Sequence, residues 1–175
     1  MEEFQNEFTP LEFRGSSMNI HKHESLTKVE VVVVFVHGLM GSGYDTWVDF
    51  PKFIFESSIK PICDVAVFDY CSGYRKWIGV RPSLRKVSES LAERLGYLAE
   101  KNYEHIYIVA HSMGGLISLH AVKHYLDHRD RATKRLKQIA GIMLFGSPLD
   151  GSRWSLAALV ILFREAGYLW VHAPH

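Results

Sequence analysis

Val31 to Val36 is an unbroken apolar run, β-branched at five of its six positions. A strand with one wet face alternates apolar and polar residues. A run apolar on both faces fits a central strand of a parallel sheet, covered on each side by helices. Asp64 to Tyr70, His105 to Ala110 and Gln138 to Phe145 are more mixed versions and predict three further strands. Between them the period lengthens. Leu84, Val87, Leu91, Leu95 and Leu98 fall three or four residues apart, one stripe of a helix ending near Lys101, with Pro82 suited to its first turn. Met113 to about Asp127 predicts another helix. Asp45 to Phe55 predicts a short helix interrupted near Pro51, and residues 154–166 also read as helical. Strands alternating with helices imply an α/β fold with a mostly parallel sheet, right-handed crossovers and helices on both faces. Residues 1–28 have little periodicity and break at Gly15-Ser16-Ser17. They are expected to form an N-terminal arm or short irregular strands, ahead of one domain over 29–175.

The bulk composition narrows the partners more than the fold. Lys plus Arg number 20 and Asp plus Glu 19, a formal charge of +1. That balance gives no electrostatic reason to expect nucleic acid. Apolar residues make up 47%, enough for one sizeable core. Cys63 and Cys71 flank a predicted strand, which at roughly 3.3 Å per residue separates them by about 25 Å. A disulfide needs Cα atoms within about 7 Å, so both are expected to be free thiols, as in a reducing compartment. The start of the chain, Met1 to Glu7, is acidic and polar, unlike a secretory signal. The longest apolar runs, Val31 to Val36 and Leu156 to Phe163, fall short of the ~20 residues that span a bilayer. The expected location is cytoplasmic.

The candidate chemistry begins at Ala110-His111-Ser112-Met113-Gly114-Gly115. Ser112 follows an apolar strand directly and precedes a helix directly. A sharp strand-to-helix turn strains the serine backbone and exposes its hydroxyl at the sheet edge. It demands small residues at minus two and plus two, here Ala110 and Gly114. The helix behind the serine presents free N–H groups and its positive dipole end. Ser112 is thus a candidate nucleophile.

A second motif, Val36-His37-Gly38-Leu39-Met40-Gly41, closes the first strong strand. Acyl transfer builds negative charge on a carbonyl oxygen, which two backbone N–H groups commonly stabilise. One belongs to the residue after the nucleophile, Met113. The other comes from the loop after the earlier strand, and Leu39 is the expected donor. His37 could be read as a base, but the preferred role is structural, holding the loop through its ring nitrogens.

With both motifs in hand, the chain resembles the α/β-hydrolase superfamily, and within it the lipase-like serine esterases that include GPI inositol-deacylase-like proteins. Three stretches carry the likeness: Val36 to Leu39, Ala110 to Leu116, and Phe145-Gly-Ser-Pro-Leu-Asp-Gly-Ser152. The third is similar to a Thr-Pro-His-x-Gly-Ser stretch common in such lipases. The likeness covers roughly residues 29 to 155. Ala110 replaces the first Gly of the elbow, and Asp150 stands where many relatives have His or an apolar residue. The resemblance implies a serine esterase or lipase that forms an acyl-enzyme on Ser112, with Leu39 and Met113 as oxyanion donors and His37, Gly38, His111 and Gly114 as supporting motif residues. It implies no cofactor or metal. The substrate would be a small-molecule or lipid ester, with peripheral lipid contact as one option and the oligomeric state open.

The resemblance also implies a triad running Ser, then Asp or Glu, then His. Only residues 113–175 follow the nucleophile, with one clear strand among them, so the last strands of the sheet are expected to be lacking. Asp150 is a candidate acid, and His172 or His175 a candidate base; neither role is assigned. His120, His124 and His128 recur every four residues on one helix stripe directed away from the hydroxyl, a polar face rather than a metal site. Two other readings stand beside the esterase: an acyltransferase using the same nucleophile, and a truncated or inactive hydrolase acting as a binding protein.

Overall fold

The sheet is built around the all-apolar run. In a computed structural model that describes residues 7–8, 16–23, 26, 28–58, 61–72, 83–101, 103–127 and 138–149, that run is strand β3, Val31–Val36. Two-residue β1 (Glu7–Phe8) and β2 (Ser16–His21) precede it; β4 (Cys63–Tyr70), β5 (His105–His111) and β6 (Ile139–Phe145) follow. The spatial order is β1-β2-β4-β3-β5-β6. β3 pairs in parallel with β4 and β5, and β5 with β6, through a register shift at Ile106/Tyr107. The sheet is therefore mostly parallel, as the α/β pattern implies. β2 runs antiparallel to β4 and β1 antiparallel to β2. Part of the segment expected to be an arm or short irregular strands thus forms two sheet strands. Met18 and Ile20 on β2 are buried, and this alternation is too brief to stand out in the sequence.

Helices cover both faces. α2 (Leu84–Glu100) and α3 (Met113–Asp127) lie on one side and α1 (Phe50–Phe55) on the other. On α2 the predicted stripe is the packed one. Val87, Leu91, Leu95 and Leu98 are buried with Ile106, Ile108 and Ala110 of β5, and Leu84 packs against them. Each such burial contributes roughly 1.5–3 kcal/mol. Ser83 caps the helix by accepting the Lys86 N–H at 3.2 Å. Pro82 lies outside the described residues, as do 154–166. α1 corrects the expected 45–55 helix. Residues before Phe50 form turns, with Val48 at φ 50, and Pro51 belongs to the first helical turn rather than interrupting one. The physical reason is that the first turn needs no proline N–H. Cys63 and Cys71 are both free. Among the described residues, no helix is long and apolar enough to cross a membrane.

Buried polar groups on the β2 side are tied across elements. Asp64 accepts the His23 N–H at 3.0 Å and the Tyr103 hydroxyl at 2.7 Å. Arg94 donates to Ser16 O at 2.9 Å and lies over the Phe68 ring. His21 Nε2 lies 2.7 Å from the Tyr44 hydroxyl, and burial lowers the His21 pKa from 6.5. As pH falls, the unfolded chain therefore takes up this proton first. The stability that His21 contributes is complete above about pH 6.5 and is lost as pH drops through the lower folded value. We expect the urea midpoint of the parent to fall between pH 7.5 and 5 by more than that of His21→Gln. Equal falls would show that the neutral ring is not the source.

Candidate active site

All four parallel strands end on the same edge of the sheet, and the candidate residues gather there. β3 connects to β4 on one side, while β5 lies on its other side. The crevice where connections diverge, outside the carboxyl ends of the strands, is where open α/β sheets place ligands. The loop after β3 and the turn after β5 both open onto it.

The turn after β5 is the sharp one that the sequence implies. Ser112 has φ 52, in the left-handed region that an L-residue with a side chain rarely adopts. Its N–H donates to Phe145 O of β6 at 2.8 Å, and its own carbonyl accepts the Gly115 N–H at 3.1 Å. Ser112 is half-buried, between exposed His111 and buried Met113, the first residue of α3. Among the described residues, no imidazole hydrogen-bonds its hydroxyl.

Gly38 and Gly114 allow the two loops to meet. A Cβ on Gly38 would stand 2.8 Å from Ser112 Cβ and 3.1 Å from His111 Nδ1. Leu39, next in the chain, is half-buried against the α2–α3 core. A Cβ on Gly114 would overlap the carbonyl oxygens of Val36 and His37. The β3 backbone therefore demands a small residue at plus two. Gly115 has the same relation to Ser147, whose side chain would overlap a Cβ there.

His37 is fully buried within its own loop. Nδ1 lies 2.8 Å from Gly38 O and donates to it, since a carbonyl only accepts. Nε2 meets the Tyr70 N–H at 3.2 Å and Asp69 Oδ1 at 2.9 Å. The ring stacks on Tyr70 at 4.2 Å, and the Tyr70 hydroxyl donates to His37 O at 2.9 Å. Burial first, and the Asp69 charge second, push the Tyr70 phenol far above its ordinary range, so it stays a donor. Further along, Met40 N–H donates to Ser72 O at 3.2 Å, Gly41 N–H to Gly38 O at 3.4 Å, and Ser72 Oγ to Gly41 O at 2.6 Å. The Leu39 N–H takes part in no such loop bond among the described residues.

The structure thus brings Ser112, His111, Met113 and Gly114 against His37, Gly38 and Leu39. The triad candidates Asp150, His172 and His175 lie outside the described residues. So does His128, while His120 and His124 are half-buried along α3. Among the described residues, no group of three or more His, Cys, Asp or Glu could hold a metal ion. Sequence reasoning missed Asp69, Tyr70 and Ser72, which hold the His37 loop from the end of β4. No spacing pattern links them to His37; the one usable signal is polar residues at the carboxyl end of a neighbouring strand. It also missed Trp47, buried against Phe35 at 5.1 Å, with His111 and Phe145 each edge-on at 6.2 Å.

The Gly114 contact yields a stability prediction. Gly114→Ala is expected to lower unfolding free energy by about 1–3 kcal/mol more than Gly141→Ala. A Cβ on Gly141 meets only Tyr107, at an ordinary 3.4 Å. Denaturant midpoints at unchanged m-value check this; equal losses would remove the β3 carbonyls as the cause.

Comparison with solved structures places the fold. A lipase from Bacillus licheniformis, BlEst2 in mature form, superposes with a TM-score of 0.57 at 23% identity, over 82% of this chain and 51% of that one. A thermostable carboxyl esterase from Bacillus coagulans gives 0.57 at 16% identity, over 96% and 51%. A predicted CIB-like hydrolase from Thermoplasma acidophilum gives 0.52 at 20% identity, over 83% and 63%. At such identities the likeness is one of fold, and it is the α/β-hydrolase fold. The chain spans about half the length of the two Bacillus enzymes. Comparison with curated proteins returned no match. Over residues 27–162, a stretch that includes the β3 loop, the Ser112 turn and β6, the chain belongs to the family described as "Putative serine esterase (DUF676)".

Proposed function

We propose that this chain carries the nucleophile and oxyanion elements of a serine esterase that cleaves carboxylic esters through an acyl-enzyme on Ser112. The observation that carries the reading is the left-handed Ser112 between β5 and α3, with Gly38 of the β3 loop against its Cβ. A strained serine at the mouth of an α/β sheet is the geometry of a nucleophile elbow. Family membership and the lipase and esterase folds beside it support the same chemistry.

In this reading Ser112 Oγ attacks the ester carbonyl carbon. An Oγ–C bond forms, and the serine proton passes to a base and from it to the departing alcohol as the C–O bond breaks. The N–H groups of Met113 and Leu39 hold the oxyanion meanwhile. Two such donors share the developing charge, and losing one costs about 3 kcal/mol in related chemistry. Water then cleaves the acyl-serine, releasing the acid and restoring the hydroxyl. Asp150 as acid and His172 or His175 as base are the candidates this reading carries forward. Met40 and Val48, on the β3 loop and the turn after it, are 71% and 74% exposed.

A fluorophosphonate probe tests the proposal, because it phosphonylates only an activated serine. We expect the parent to be labelled and to hydrolyse p-nitrophenyl esters, and Ser112→Ala to do neither. A folded parent that resists the probe would sink the esterase reading and favour a binding role. Labelling with acyl transfer to an added alcohol in preference to water would favour an acyltransferase.

A further inference from the structure

The β3 loop, His37 to Gly43, contains three glycines and opens directly onto Ser112. A chain so rich in glycine has much freedom to lose, and a donor within it acts on a transition state only if the loop is held beforehand. One atom touches both ends of this loop. Asp69 Oδ1 lies 2.9 Å from Nε2 of His37, the first residue, and accepts the N–H of Gly43, the last, at 3.0 Å. The approach is close: a Cβ on Gly43 would stand 2.9 Å from Val67 Cγ1 and 3.3 Å from Asp69 Cβ. Tyr70 and Ser72, the other anchors on this stretch, meet His37 alone or the interior of the loop, and neither reaches Gly43 in the bonds described.

We propose that Asp69 is a positioning residue, whose Oδ1 staples the two ends of the loop so that the Leu39 N–H stays presented to the substrate oxygen. The assignment rests on the esterase reading of Ser112. Asp69 is well suited to the role. Its carboxylate is 45% exposed and lies within hydrogen-bond distance of both ends of the loop. A hydrogen bond to an ionised acceptor is stronger than a neutral one. The staple is made by the doubly protonated ring, which donates from Nδ1 to Gly38 O and from Nε2 to Asp69 Oδ1 while Oδ1 also accepts the Gly43 N–H. A negative charge beside an oxyanion loop would oppose the developing oxyanion. The carboxylate is therefore explained by the donors it gathers, and an uncharged oxygen in the same place should serve nearly as well.

The test compares Asp69→Ala, which removes the acceptor, with Asp69→Asn, which keeps an oxygen there. Fluorophosphonate labelling and p-nitrophenyl ester turnover are measured beside amide hydrogen exchange of peptides from residues 37–43 and from α2. For Asp69→Ala we expect labelling and kcat to fall between about 10- and 100-fold with KM little changed. Exchange should quicken in 37–43 and not in α2. Asp69→Asn should recover most of the rate. Parent-like labelling by Asp69→Ala, or equal losses in both variants, would overturn the assignment, as would exchange that rises equally in α2. If the parent itself is not labelled, the esterase reading fails, and exchange alone decides the staple. Faster exchange confined to 37–43 would uphold it, and unchanged exchange would end it.

Discussion

A left-handed backbone at a residue bearing a side chain costs about 1–2 kcal/mol, and no contact within the turn at Ser112 repays it. The conformation persists because the surroundings leave no other. Its N–H is held by Phe145 O on one side. On the other, Gly38 lies so close that a Cβ there would meet Ser112 Cβ at 2.8 Å. Behind it, Gly114 admits the first turn of α3 against the carbonyls of Val36 and His37. Three strands therefore converge on one backbone angle. The parallel order that sets β5 between β3 and β6 allows them to do so.

Much of this was legible in the sequence because it depends on short-range pattern. Val31 to Val36 can be buried on both faces only in a covered sheet. The spacing of Val87, Leu91, Leu95 and Leu98 admits one helix face, and Ser112 sits where an apolar strand gives way to a helical period. What escaped depends on contacts distant in sequence. Ser16 to His21 shows no strong alternation, and its place beside β4 follows from pairing rather than composition. Pro51 read as an interruption because the turn before it, with Val48 at a positive φ, has no sequence signature. Asp69 reads as one more strand residue until β4 is placed beside β3.

The same distinction runs through the site. His37, Gly38 and Ser112 announce themselves as motifs, whereas the residues that hold them do not. Tyr70 meets His37 through its ring, its N–H and its hydroxyl, and Asp69 and Ser72 take the rest of the loop. All three lie within four consecutive positions at the end of β4. The loop beside Ser112 is thus held from a neighbouring strand.

The bond from Ser112 to Phe145 spans 33 positions of the chain, and those positions leave the ribosome in order. When residue 112 first emerges, the strand that will accept its amide does not yet exist. Until β6 docks, the Ser112 N–H lacks that acceptor, and one of the contacts that confine the left-handed angle is missing. The full set of contacts around Ser112 is therefore acquired late. A nascent chain carries the complete serine motif well before the strained turn is fully confined, because that confinement needs the assembled sheet.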